Sequence, residues 1–214
     1  MLAEHFCASC GTPFLNSHPL DEEGRCALCR TGARGFDAAY CYGVYDGALR
    51  KLIHLFKYSR MRALDQPLGA YLALALPRGK QFDAVVPVPL HWRRKWSRGF
   101  NQSELLARAI ARRCSVPVLR ALRRGRATAF QAGLTNAARR ENVAQAFEAR
   151  RRCPVAGKRI LLVDDVMTTG ATAAACARAL RRAGAESISL LALARVDRRW
   201  TPVPHSATPR GSRP

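Results

Sequence analysis

Apolar and polar positions change period several times along the chain, and each change marks an element. Tyr40-Cys-Tyr-Gly-Val-Tyr45 alternates with a period of two, which predicts a strand. Leu49, Leu52, Ile53 and Phe56 then recur at helical spacing behind Asp46, a residue suited to cap a helix start. A second helix is predicted over 65–76. Phe82-Asp-Ala-Val-Val-Pro-Val-Pro-Leu90 reads as a buried strand ended by prolines. Residues 101–113 carry Leu105, Leu106 and Ile110 on one helical face, and 138–147 read as another helix. Lys158-Arg-Ile-Leu-Leu-Val-Asp164 and Ile188–Leu193 are apolar without alternation, as strands covered on both faces are. Between them Gly170 to Ala183 reads as a helix with Gly184 just beyond its end. Strands that alternate with helices predict an α/β fold with a parallel sheet.

The two ends depart from this pattern. Residues 1–35 have little apolar periodicity and cannot bury a core alone, Thr31-Gly-Ala-Arg-Gly35 reads as a linker, and the globular part is expected over 36–199. Residues 200–214, rich in Pro, Ser and Arg, are expected to be a disordered tail. The first segment holds Cys7-x2-Cys10-x15-Cys26-x2-Cys29, the spacing of a four-thiolate structural zinc site. Each two-residue gap lets a pair of sulfurs face one tetrahedral ion, and Gly11, Pro13 and Gly24 supply the turns. Two disulfides are the competing reading. Four further cysteines (Cys41, Cys114, Cys153 and Cys176) have no ligand spacing and suit buried small hydrophobes. His5 and His18 are expected at the surface, since four sulfurs already complete a tetrahedron.

Composition adds one question. The 214 residues carry 36 Lys+Arg against 15 Asp+Glu, a formal net charge of +21, and 31 of the basic residues are Arg. Such a charge favours polyanions such as nucleic acid, a membrane surface or phosphorylated small molecules. A GC-rich coding sequence would give the same Ala- and Arg-rich composition. No apolar run is long enough to cross a membrane, and Met1–Cys7 lacks the basic-then-apolar order of a secretory signal, so a cytoplasmic protein is expected.

The most informative stretch is Ile160-Leu-Leu-Val-Asp-Asp-Val-Met-Thr-Thr-Gly-Ala-Thr172. An apolar strand runs into two adjacent carboxylates, and a Thr- and Gly-containing turn then opens a helix. Backbone N–H groups and hydroxyls at a helix start form an anion cradle, and Gly170 lets the backbone approach it closely. A phosphate alone would not call for acids beside it. Acids beside a phosphate cradle suggest a sugar whose hydroxyls meet the carboxylates, or a bound divalent metal, and ribose 5-phosphate satisfies both demands. An acidic strand–helix junction without a ligand is the plainer alternative.

Val163-Asp164-Asp165-Val166-Met167-Thr168-Thr169-Gly170-Ala171-Thr172 resembles the phosphoribosyl pyrophosphate (PRPP) motif of type I phosphoribosyltransferases. The resemblance implies that Asp164 and Asp165 hold the ribose hydroxyls and that the loop through Val166, Met167, Thr168, Thr169, Gly170, Ala171 and Thr172 wraps the 5′-phosphate. Val86-Pro-Val-Pro-Leu-His91 followed by Arg98-Gly-Phe-Asn-Gln102 is similar to the bacterial ComF family. So is Arg126-x-Thr128-x2-Gln131-x2-Leu134, followed by Arg140-x-Asn142 and Ala146-Phe147. The four motifs run in the family's order and span residues 7 to about 195.

This resemblance implies a type I phosphoribosyltransferase-like parallel sheet flanked by helices, with a small N-terminal four-cysteine zinc module. It implies structural Zn on Cys7, Cys10, Cys26 and Cys29, and Mg accompanying PRPP. Pro87, Val88, Pro89 and Arg98 would serve the pyrophosphate, and Arg126, Thr128 and Gln131 belong to a mobile loop that closes over PRPP. Lys57 either reaches the site or snorkels along the surface. The implied biology is DNA uptake, with single-stranded DNA and DNA-uptake proteins as partners. Trp92, Arg93, Arg94, Lys95, Trp96 and Phe100 interleave aromatics for base stacking with cations for phosphates. A phosphoribosyltransferase acting on a small acceptor is the alternative. No general base stands out, and a glutamine amidotransferase is not expected.

Overall fold

The computed structural model describes residues 5–14, 17, 20–32, 35–59, 61–90, 99–125 and 146–196. Its centre is a four-stranded parallel sheet of β3 (Ala38–Val44), β4 (Ala84–Pro87), β7 (Arg159–Met167) and β8 (Ser187–Arg195), in the spatial order β3-β8-β7-β4. Two smaller antiparallel pairs flank it: β1 (His5–Phe6) with β2 (Pro13–Phe14), and β5 (Leu122–Arg124) with β6 (Phe147–Ala149). The helices are α1 (Ala27–Arg30), α2 (Gly47–Tyr58), α3 (Asp65–Leu74), α4 (Gln102–Cys114) and α5 (Ala171–Arg182). A 3-10 turn over Arg62–Leu64 leads into α3.

The unbroken apolar runs are explained by cover on both faces of the sheet. Ile160, Leu162, Ile188, Leu190 and Ala192 join the core on the side of α5, with Cys176, Ala177 and Leu180. Leu161, Val163, Leu191 and Leu193 face Ile53, Phe56, Leu68, Leu72, Leu106 and Ile110 of α2, α3 and α4. Strand β7 therefore buries successive residues on opposite sides, as a central parallel strand must. Helix α5 is nearly all Ala on its buried side, which lets it lie close to the sheet.

Among the described residues the predicted elements are present with shifted ends, apart from the helix expected over 138–147. Strand β7 runs on through both carboxylates to Met167, three residues beyond the predicted end, because β8 continues to pair with it out to Arg195. Gly170 is the N-cap of α5 rather than its first helical residue; its φ of 76° is a left-handed conformation that L side chains rarely adopt. Asp46 stands at the N-cap of α2 but makes no side-chain capping bond. The helix expected over 138–147 does not extend to its end: Phe147 begins β6, where pairing with β5 and a buried ring (1% exposed) outweigh local propensity. The rest of that segment lies outside the described residues, as does the expected tail.

The cysteine segment packs on the main domain. Cys7, Cys10 and Cys26 share a core cluster with Phe36 and the α5 face of the sheet. The Ala39 N–H donates to the Ser9 carbonyl at 2.8 Å. Arg195, at the end of β8, donates to the Cys10 carbonyl and to the Thr12 hydroxyl.

Candidate functional site

The site lies at the carboxyl ends of β4 and β7, the place where open α/β sheets bind ligands. These strands are neighbours, with Pro87 opposite Val163, and the Val88 N–H donates to the Val163 carbonyl at 2.9 Å. Pro87-Val88-Pro89 is thereby brought beside Asp164 and Asp165, two segments more than seventy residues apart in sequence.

The two acids are held differently. Asp164 Oδ1 accepts from the Ser103 hydroxyl at 3.0 Å and from the Asp165 N–H at 2.9 Å. Asp165 Oδ1 lies 3.1 Å from Lys57 Nζ, with only 13% and 15% of the two side chains exposed. Burial, followed by the neighbouring Asp165 charge, pushes the Asp164 carboxyl up to about 7, against the opposing pull of its hydrogen bonds and of Lys57. A carboxyl so raised sits unhappily in the ligand-free protein and gains by meeting hydroxyl donors.

Beyond the acids the chain turns into α5. Thr168 and Thr169 are exposed while Gly170 is buried. Thr169 Oγ1 accepts from the Ala171 N–H at 3.1 Å, which shapes the turn at the positive end of the helix dipole. Val166 is partly buried and Met167 fully so, both packing into the core, while Ala171 and Thr172 are partly buried at the start of α5. Those residues fit a phosphate cradle: a tight turn, hydroxyls and a helix start next to acids that suit a sugar.

The first turn of α4 organises the site. Asn101 caps the helix by accepting from the Ser103 N–H at 3.2 Å, and its Nδ2 donates to the Val88 carbonyl at 3.1 Å. Gln102, 1% exposed, places Nε2 at 3.5 Å from the Phe56 carbonyl. Ser103 reaches Asp164. Sequence reasoning missed Ser103, although a signal existed: it shares a helical face with the buried Leu106 and Ile110, where a polar side chain needs a partner.

Phe100 requires a correction. It is 6% exposed and packs against Phe56 with ring centroids 5.6 Å apart, so it is part of the core and presents no face to a base. Trp92, Arg93, Arg94, Lys95, Trp96, Arg98, Arg126, Thr128 and Gln131 lie outside the described residues.

Cys7, Cys10, Cys26 and Cys29 come together with all four sulfurs within 4.8 Å of one another. The Cys10–Cys26 Sγ separation is 3.8 Å. Tetrahedral zinc with Zn–S bonds of about 2.3 Å requires sulfurs about 3.8 Å apart. Cys7 Sγ accepts from the Cys26 N–H at 3.3 Å and the Cys10 N–H at 3.5 Å, contacts that stabilise a thiolate. Burial raises the Cys26 and Cys29 thiols, so a thiolate cluster here calls for a cation. The donor set fits zinc. No disulfide joins any of the eight cysteines, all of which are described residues; Cys176 is buried, and Cys41, Cys114 and Cys153 are partly buried. Among the described residues no helix is long and apolar enough to cross a membrane.

Comparison with known proteins shows the family to which the chain belongs. Residues 98–210 match the family described as "Phosphoribosyl transferase domain". The chain is 35% identical over 197 residues to the DNA utilization protein YhgH of Escherichia coli K12, covering 88% of this chain and 83% of that protein. It is 32% identical over 202 residues to competence protein F of Haemophilus influenzae, covering 89% and 84%. Competence protein ComFC of Bacillus subtilis matches at 26% over 205 residues, 89% of this chain and 78% of that protein. A solved glutamine PRPP amidotransferase from B. subtilis aligns at 25% identity and a TM-score of 0.43 over 60% of this chain, which spans 26% of that chain's length. The chain belongs to the phosphoribosyl transferase domain family and, within it, to the ComF branch of DNA-utilization and competence proteins.

Proposed function

We propose that this protein binds PRPP with magnesium at the carboxyl ends of β4 and β7 and acts in the uptake of DNA, contacting single strands. One observation carries the reading: two adjacent, differently held carboxylates followed directly by an exposed Thr-Thr-Gly turn at the start of α5. Asp164 and Asp165 accept from the ribose hydroxyls. Thr168 to Thr172 surround the 5′-phosphate with hydroxyls and helix-start N–H groups. Pro87-Val88-Pro89 lies beside the pyrophosphate, with Arg98, and Arg126, Thr128 and Gln131 close over it. Magnesium, when bound with PRPP, offsets the pyrophosphate charge. Zinc at the four cysteines is structural. The DNA role is supported by the names of the relatives and by the charge of +21.

Thermal unfolding with and without PRPP·Mg tests the ligand, because a ligand specific to the native state raises the midpoint. A rise is expected for PRPP·Mg and not for Mg alone; no rise at millimolar PRPP would refute the assignment. Fluorescence anisotropy with a labelled single strand tests the DNA contact. Binding at low salt that weakens steeply as salt is raised is expected, and no binding at low salt would remove it.

A further inference from the structure

Lys57 is a lysine in an unusual setting. Among the ion pairs of the described residues, only Lys57–Asp165 has both side chains less than one-fifth exposed; in the others at least one partner is a third or more exposed. An exposed pair contributes little, whereas removing one partner of a buried pair leaves an uncompensated charge. A snorkelling lysine would carry its ammonium out to water. Lys57 instead delivers it to the second acid of the sugar motif, 3.1 Å from Oδ1.

Its position is fixed from beneath. Lys57 stands in the last turn of α2, directly after Phe56, which is fully buried. The Phe56 carbonyl faces Gln102 Nε2, and its ring packs on Phe100. The same turn of α4 sends Ser103 to Asp164. One rigid helix start thus sets both the end of α2 that carries Lys57 and the acid next to its partner. The two oxygens of Asp165 are left in different surroundings, one on an ammonium and the other without a hydrogen-bond partner among the described residues.

We propose that Lys57 is a positioning residue of the sugar site: its ammonium pins Asp165 through Oδ1, aims the other oxygen at a ligand hydroxyl, and offsets the charge of the paired acids. The inference rests on the sugar-phosphate reading above and adds to it a residue outside the motif. Neither the β7–α5 loop nor the strand pairing requires a cation at this point, so a structural role alone predicts loss of stability without loss of affinity.

The test is isothermal titration of PRPP·Mg into the wild-type protein, Lys57→Met and Lys57→Arg, with the ligand-free unfolding midpoint of each. Lys57→Met is expected to weaken binding at least tenfold. Lys57→Arg, which keeps a cation within reach, is expected to recover most of that loss. In the ligand-free protein, Lys57→Met should cost little further stability in an Asp165→Asn background, because the pair is already broken. Lys57→Met binding within twofold of wild type would overturn the proposal while leaving the sugar-phosphate reading intact. Lys57→Arg as weak as a folded Lys57→Met would overturn it as well. A wild-type protein that takes up no PRPP·Mg would refute the sugar-phosphate reading, and the role of Lys57 with it. Should Lys57→Met not fold, Lys57→Gln is measured in its place against the same limits.

Discussion

Replacing Asp164 by Asn should make the ligand-free protein more stable at neutral pH. The folded carboxyl is pushed up to about 7, from an ordinary value of 3.8, chiefly by burial and then by Asp165. Between these values the native state holds a proton that the unfolded chain has released, so stability falls as pH rises through this window. Below pH 4 both states are protonated and the loss vanishes; above pH 7 it is complete. At about 1.4 kcal/mol per pH unit the ceiling is roughly 4 kcal/mol. Asparagine keeps an oxygen to accept from Ser103 and the Asp165 N–H but never ionises. A domain of this size gains about 2–4 °C per kcal/mol, so the variant should unfold several degrees above wild type at pH 8. The assay is the unfolding midpoint of both proteins from pH 4 to pH 8.5 without ligand. The gap should open between pH 4 and 7 and then stay level. A gap independent of pH, or an Asp164→Asn protein less stable than wild type at pH 8, would refute the reasoning. The gain in stability should come with loss of the PRPP response, as expected where a site is built for its ligand.

Other perturbations separate core from surface. Phe100→Ala should destabilise the protein by about 3–5 kcal/mol through the cavity left against Phe56, and any fall in DNA binding should track unfolding; a stable variant with selectively lost DNA binding would return Phe100 to the interface. Purified protein should contain about one zinc per chain, and Cys26→Ser should lower both zinc content and the unfolding midpoint; folded, zinc-free protein with intact thiols would contradict the cluster. Asp83 is held below the usual carboxylate range by hydrogen bonds from Arg159, so its contribution is present above the ordinary carboxylate range and lost as pH falls below it. Asp83→Asn should therefore be less stable than wild type at pH 7, with the difference closing in acid, as urea unfolding at several pH values would show.

Much of the fold was legible because the sheet is covered on both faces. Ile160–Val163 and Ile188–Leu193 are apolar without alternation, and only a central parallel strand packs such a run. The strand ends were less legible, since β7 outlasts its apolar stretch by pairing with β8, a long-range cause invisible to local pattern. Strands β5 and β6 went unseen for the same reason: Leu122–Arg124 reads as a basic run, and its partner begins only at Phe147. In the site, the acids, the turn and the cysteines were legible as spacings. Ser103 and the bracing role of Gln102 were not, because they act across 61 and 46 residues of sequence; Lys57 was read with two alternatives, and the fold decides between them by bringing it to Asp165 across 108 residues. The motif Arg98-Gly-Phe-Asn-Gln102 was legible as a family resemblance, with Phe100 read as a nucleic-acid contact, whereas Phe100, Asn101 and Gln102 brace the helix that positions the acids.

The most direct test of the account is calorimetric titration of PRPP·Mg into wild-type protein and into the Asp164→Asn, Asp165→Asn double variant, with both shown to be folded. The wild type should bind at one site per chain and the double variant should lose that binding; equal binding by the two proteins would contradict the placement of the sugar on these acids.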